Sequence, residues 1–163
     1  MKRSKTVVLL SIALVLAGIW GTVMAGHDRP IRARLMTSFD PGGIGTIPPL
    51  GCFSGGLAFE IEAGGVVTRL GRSTLTAVSE VLFLTGEQCG EAVVTAANGD
   101  ELWFDFEGGS ATDPTGQITF SGNWAITGGT GRFADAEGGG AYEGSANAAS
   151  GQGEWFLEGT IDY

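Results

Sequence analysis

From Gly26 onward the chain contains no lysine, one histidine and two cysteines, and almost no stretch with the apolar spacing of a helix. Each scarcity removes a class of function. Over that stretch six arginines stand against eighteen carboxylates, a formal net of −12. Such a surface repels phosphate backbones and anionic headgroups, so nucleic acid and acidic membranes are not expected partners. The acidity reads as solubility outside the cell, the other reading being attraction of Ca²⁺ or of basic partners. The single histidine, His27, stands two residues beyond the leader described below, too near a terminus to serve a Ser-His-Asp or Cys-His mechanism. A Gly26 amine and the His27 imidazole suit Cu²⁺, but a solvated tail is the plainer reading. One histidine and two cysteines also make a poor zinc ligand set. No metal and no cofactor are expected.

The N-terminus carries a basic patch (Lys2, Arg3, Lys5), an uncharged apolar run over 6–20, and small residues at Val23 and Ala25. This is the order of a secretory signal peptide, with cleavage expected after Ala25. The apolar run is shorter than the ~20 residues of a spanning helix, although an uncleaved anchor follows if it extends through Ala25. The expected organisation is a signal peptide over 1–25 and a single domain over 26–163, secreted or periplasmic, with no stable membrane insertion after cleavage. Cys52 and Cys89 then meet an oxidising compartment and read as one disulfide closing a loop of 37 residues. In the chain-entropy picture such a bridge contributes ~3–4 kcal/mol. Two buried free thiols are the alternative.

What the mature stretch has in place of helix signals is short alternation punctuated by Gly, Asn, Asp and Pro. Ile118, Phe120, Trp124 and Ile126 alternate with Gln117, Thr119, Ser121 and Asn123. Leu102, Phe104 and Phe106 alternate with Trp103, Asp105 and Glu107, and Trp155, Leu157 and Ile161 with Glu158, Thr160 and Asp162. Period-two patterning marks strands with one buried face. Asn98-Gly99 between two such runs is a strong hairpin signal. Strands are expected near 30–39, 53–62, 66–71, 73–84, 91–97, 100–107, 116–127, 138–147 and 153–162, with a loop over 40–51. Eight or nine hairpin-linked strands suggest an all-β sandwich or a closed barrel. An eight-stranded, antiparallel, up-and-down, calycin-like barrel is the expectation, because closure removes the edges that an exported β protein must protect. Of the 27 glycines beyond residue 25 many sit inside strand patterns, where they mark bends, bulges or corners.

One segment stands apart: Thr127-Gly128-Gly129-Thr130-Gly131-Arg132-Phe133-Ala134-Asp135-Ala136. Gly-Gly-Thr-Gly offers a turn with positive φ, Phe133 a plug for a barrel end, and Arg132 a reach back to a carboxylate or to carbonyls. The segment resembles the Gly-Gly-Thr-Gly-Arg-Phe stretch of dirigent proteins and the related stretch of allene oxide cyclases, both eight-stranded barrels. Together with Thr95-Ala96-Ala97-Asn98-Gly99-Asp100-Glu101-Leu102 and Gly71-Arg72-Ser73-Thr74-Leu75, it is also similar to a set of uncharacterised bacterial exported proteins. The resemblance implies the barrel and little chemistry. Dirigent proteins guide radical coupling and the cyclases close an epoxide, both without a cofactor, through polar groups inside the barrel. None of those groups matches a position here. Gly128, Gly129, Thr130, Gly131, Arg132 and Phe133 are therefore read as structural. The segment is no phosphate loop either, lacking the Lys-Ser/Thr and the following helix.

Carboxylates are the remaining candidates for chemistry. Asp105, Glu107 and Asp113 flank Gly108-Gly109-Ser110, read here as a turn that is either a Ca²⁺ site or a solvated hairpin end. Glu60, Glu62, Asp105 and Glu107 would serve as acid and base only if they faced inward, and the better core residues are their alternates. Trp103, Trp124, Trp155 and Phe120 either line a ligand cavity or fill the barrel solid. The expected function is a non-catalytic exported barrel that binds a small apolar or amphipathic molecule. The alternatives are a cofactor-free isomerase or cyclase and a solid-cored interaction protein, and oligomers are compatible with each. An open cavity separates the first two from the third. An inward Asp, Glu or Arg separates the second from the first.

Overall fold

A computed structural model describes residues 28–163; the leader, its cleavage site and His27 lie outside the described residues. Eight strands follow one another: β1 (Arg29–Ser38), β2 (Leu57–Val67), β3 (Gly71–Val81), β4 (Glu87–Ala96), β5 (Glu101–Thr112), β6 (Gln117–Gly129), β7 (Glu137–Asn147) and β8 (Gln152–Asp162). Each pairs antiparallel with the next, and β1 pairs with β8, so the sheet is a closed up-and-down barrel. Alternation decides which side chains go inside. Leu35, Leu75, Phe104, Trp124, Leu157 and Ile161 point inward and are buried. Arg32 and Arg34 of β1 point outward and meet β8, Arg32 bonding Glu158 and Arg34 bonding Glu154.

Three boundaries differ from the sequence expectation, each for a reason of packing. The runs near 53–62 and 66–71 are one strand through Gly64-Gly65, because β1 presses so close that a Cβ on Gly65 would collide with the Arg34 carbonyl. Strand β4 begins at Glu87 rather than near 91, its inward positions there being Gln88 and Gly90, which break the apolar alternation. Gly108-Gly109-Ser110 is strand and not a turn: β5 runs on to Thr112 and the chain reverses at 113–116. Gly108 faces Gly122 across the β5–β6 pair, and the Tyr142 hydroxyl occupies the space its side chain would need.

The barrel has two unlike ends. One is gathered from the β2–β3, β4–β5 and β6–β7 connections and is closed by Leu70, Phe133 and Ala136, with Phe133 fully buried against the ring of Tyr163. The other carries the β3–β4, β5–β6 and β7–β8 turns and the long β1–β2 connection over 39–56. Between them the lower half of the interior is packed solid by Phe104, Trp124, Leu35 and Leu157. The upper half is not.

Candidate functional site

Just above that packed layer Phe106 and Trp155 form a floor, their rings meeting edge to face at 5.1 Å. Over it opens a cavity of about 390 Å³, walled by Ile61, Val81, Ile118 and Phe120 and entered past Phe39 and Ile44. Thr37, Ser79, Thr85, Gln88, Ser110 and Thr112 supply its polar side chains, and no charged side chain lines it among the described residues. A concave apolar site with a few uncharged polar groups is the usual form of a small-molecule pocket. Gln88 is buried and donates through Nε2 to the Tyr142 hydroxyl at 2.6 Å. Burial holds the Tyr142 phenol above its ordinary pKa, with Gln88 opposing and the Glu107 charge adding to the rise. On the floor, the Trp155 indole N–H is the one buried side-chain polar atom among the described residues that has no hydrogen-bond partner.

Inward glycines make this aromatic floor possible. A side chain on Gly90 would strike the Phe106 ring, and one on Gly144 the Phe120 ring. The rings lie over these glycines, the cross-strand arrangement by which an aromatic covers a bare stretch of sheet. Glycine within these strands is thus a seat for a ring rather than a bend.

The four aromatic candidates separate. Trp155 and Phe120 line the cavity. Trp124 lies in the packed layer below, its indole donating to the Ala141 carbonyl at 3.1 Å, and takes no part in the cavity. Trp103 is on the outer wall, 38% exposed, its indole held by Glu101. It stands one residue out of phase with Phe104, so it faces away from the interior that the candidate role requires. Gln88, Tyr142 and the tip of the β3–β4 turn, Phe83 and Leu84, were not singled out by sequence. The apolar run Val81-Leu82-Phe83-Leu84 held the only signal for the last pair.

The Gly-Gly-Thr-Gly-Arg-Phe segment sits at the opposite, closed end. Thr130 and Glu101 exchange bonds, the Glu101 N–H donating to the Thr130 hydroxyl and the Thr130 N–H to the Glu101 carbonyl. Gly131, at φ 57°, presses against the Asp100 carboxylate, where a side chain has no room. Arg132 lies 3.7 Å from Asp100 and donates to the Arg69 carbonyl at 2.9 Å, strapping two turns together above Phe133. The Thr130 hydroxyl and the Arg132 guanidinium are both employed in holding the plug.

The β1–β2 connection is fastened to the outer wall at two adjacent points. Cys52 is disulfide-bonded to Cys89 of β4. Across the β3–β4 pair from Cys89 stands Glu80, wholly buried beneath the connection. Its carboxylate accepts the backbone N–H groups of Gly51 (2.8 Å), Cys52 (3.2 Å) and Phe53 (3.1 Å). A buried carboxylate is tolerated only when so satisfied. Cys52, Glu80 and Cys89 bring ligand-type atoms within 4.8 Å of one another, but the sulfurs are bonded together and both carboxylate oxygens are occupied. The group is a clasp.

The other carboxylates singled out face solvent: Glu60, Glu62, Asp105 and Glu107 are exposed on the outer wall. Asp113 lies apart from Asp105 and Glu107, closing the β5–β6 turn by accepting from the Thr115 hydroxyl and N–H and from the Gln117 N–H. The Thr115 hydroxyl, then the Gln117 N–H, hold its carboxyl below the ordinary value. No helix among the described residues is long and apolar enough to cross a membrane. No family model, curated protein or solved structure matches the chain.

Proposed function

We propose that the protein is an exported, non-catalytic barrel that holds one small apolar or amphipathic molecule in the open half of its interior. The observation that carries this reading is the cavity of about 390 Å³, floored by Phe106 and Trp155 and lined at the other side by residues of the β3–β4 turn and the β1–β2 connection. A protein built only to present its outer surface gains nothing from leaving a cavity of this size in its interior, since each void forfeits packing contacts. The orphan Trp155 N–H at the floor costs about 1–3 kcal/mol as a buried, unpaired donor. Export is supported by the leader pattern and by the Cys52–Cys89 disulfide, a bond kept in oxidising compartments.

The cyclase-like alternative asks for an ionisable group facing the reacting molecule. The cavity wall offers Gln88, serines and threonines, and the carboxylates named above point the other way. The segment carrying the resemblance to dirigent proteins and allene oxide cyclases lies at the closed end, so the likeness belongs in our reading to the scaffold. The outer wall bears charged rows, Glu60 and Glu62, Arg32 and Arg34, Glu154 and Glu158, where a membrane-spanning barrel carries an apolar band.

Native mass spectrometry of the protein purified gently from its own source tests the proposal. An extractable extra mass of a few hundred daltons is expected, lost in a variant whose cavity is filled (Ala146→Trp). A bare mass that stays bare on incubation with small apolar molecules would overturn it.

A further inference from the structure

The distribution of charge around the cavity indicates which molecules it accepts. All six arginines of the described chain lie away from the mouth. Arg29, Arg69, Arg72 and Arg132 belong to the closed end, and Arg32 and Arg34 stand on the outer wall of β1, paired to Glu158 and Glu154. The connections at the mouth end carry Asp40 and Asp113, β4 begins there with Glu87, and none of the connections holds a cationic side chain. At the rim, Phe83 is 60% exposed and Leu84 fully so, extending the apolar wall outward.

From this arrangement we infer that the site selects uncharged, largely apolar molecules and rejects anions such as fatty acids and aryl sulfonates, which deepens the binding reading and rests on it. Two effects act in the same direction. An anion drawn into the cavity loses its hydration and finds no cation in the wall, so its desolvation goes uncompensated. On its way in it also passes three carboxylates on a strongly acidic protein, whose field lowers its local concentration. The first effect is insensitive to salt; the second fades as the screening length falls from about 10 Å at 0.1 M to about 3 Å at 1 M. A cation is spared the repulsion but meets the same uncharged wall, so its head would have to stay at the rim. A neutral molecule is spared both. The volume, about a dozen times the ~30 Å³ share of one liquid water, suits a compact ring system or a medium chain rather than a whole lipid.

Two dyes that share one scaffold make the test: N-phenyl-1-naphthylamine, uncharged, and 1-anilinonaphthalene-8-sulfonate, its sulfonated analogue. Both are titrated by fluorescence into the protein produced from its full-length chain, into the cavity-filled variants Ala146→Trp and Ile118→Trp, and into the rim variant Glu87→Arg. The neutral dye is expected to bind roughly tenfold or more tightly than the sulfonate at low ionic strength, a difference of about 1.4 kcal/mol or more. The gap narrows in 0.5 M salt without closing, and narrows again in Glu87→Arg. Equal affinities of the two dyes, both abolished by filling the cavity, would overturn the charge selectivity and leave the binding site standing. Failure of the neutral dye to bind, or binding that persists in both filled variants, would overturn the site itself. Filling at Ile118, half-buried near the mouth, covers the case in which Ala146→Trp does not fold.

Discussion

Gly90 of β4 and Phe106 of β5 stand directly opposite one another, and the Phe106 ring lies in the space that a side chain on residue 90 would fill. The cavity floor therefore depends on a residue that contributes no atoms to it. A methyl group at position 90 would meet both the ring and the Val78 carbonyl. Gly90→Ala is expected to cost about 1–3 kcal/mol, as overpacking does. Trimming the ring with Phe106→Leu in the same chain should recover part of the loss and not all, since the carbonyl stays. Urea melts of the two single variants and the double variant give the coupling, and strict additivity would contradict the contact.

The clasp on the outer wall makes two linked expectations. Reducing Cys52–Cys89 should lower the melting temperature, by the equivalent of about 3–4 kcal/mol in the chain-entropy picture. Glu80→Gln puts an amide donor against backbone donors at 51–53 and should cost about 1.5–3 kcal/mol. In both cases hydrogen exchange should quicken first at Gly51, Cys52 and Phe53. An unchanged melt on reduction would count against the bridge.

Tyr142 predicts an alkaline dependence with a definite sign. Its phenol is held above the ordinary value of about 10 chiefly by burial, so the folded protein keeps the proton that the unfolded chain releases. The stabilisation this reflects is complete below pH ~10 and is lost as pH climbs towards the folded value. Melting temperatures between pH ~9 and ~11.5 should fall more steeply for the native chain than for Tyr142→Phe. Parallel curves would show that the buried phenol titrates normally.

At the closed end, Phe133→Ala is expected to cost about 3–5 kcal/mol, the range for emptying a fully buried aromatic site. Arg132→Ala should cost ~1 kcal/mol or less, because its pair with Asp100 is long and partly solvated. Neither should change the affinity of an uncharged dye measured well below the melting temperature. A large loss of affinity in Arg132→Ala, with stability intact, would give the segment a binding role that its position does not support.

The strands with the clearest alternation, β6 and β8 above all, were legible because Ile118, Phe120, Trp124 and Ile126, and again Trp155, Leu157 and Ile161, recur in one phase that only the inward Gly122 and Gly159 interrupt. The Asn98-Gly99 turn was legible for an equally local reason: Gly99 adopts φ 88°, the conformation such turns require. The plug at Phe133 belongs to the same class of local signal. Strand β4 hid its start because its first inward residues are Gln88 and Gly90, polar and absent where the pattern asks for bulk. The second half of β5 hid behind Gly108-Gly109, where the β6 backbone at Ser121 and Gly122 and the Tyr142 hydroxyl, all distant in sequence, leave Gly108 no room for a side chain. Residue type alone makes Trp103 a pocket candidate, whereas its phase relative to Phe104 sets it outside. The cavity itself had no local signal, since an empty space is the difference between a barrel's volume and the sum of what eight strands put into it.

The residues that seal one end, Leu70, Phe133 and Ala136, have no part in the wall of the cavity at the other. In the proposed binding role the plug is thus separate from the rim and upper wall that would meet a guest, while Phe106 and Trp155 serve the core and the cavity floor together. The rim and upper wall are free to vary from one descendant of this chain to the next, and a designer can rewrite Phe83, Leu84, Ile118 or Ala146 for a new guest while leaving the foundation untouched.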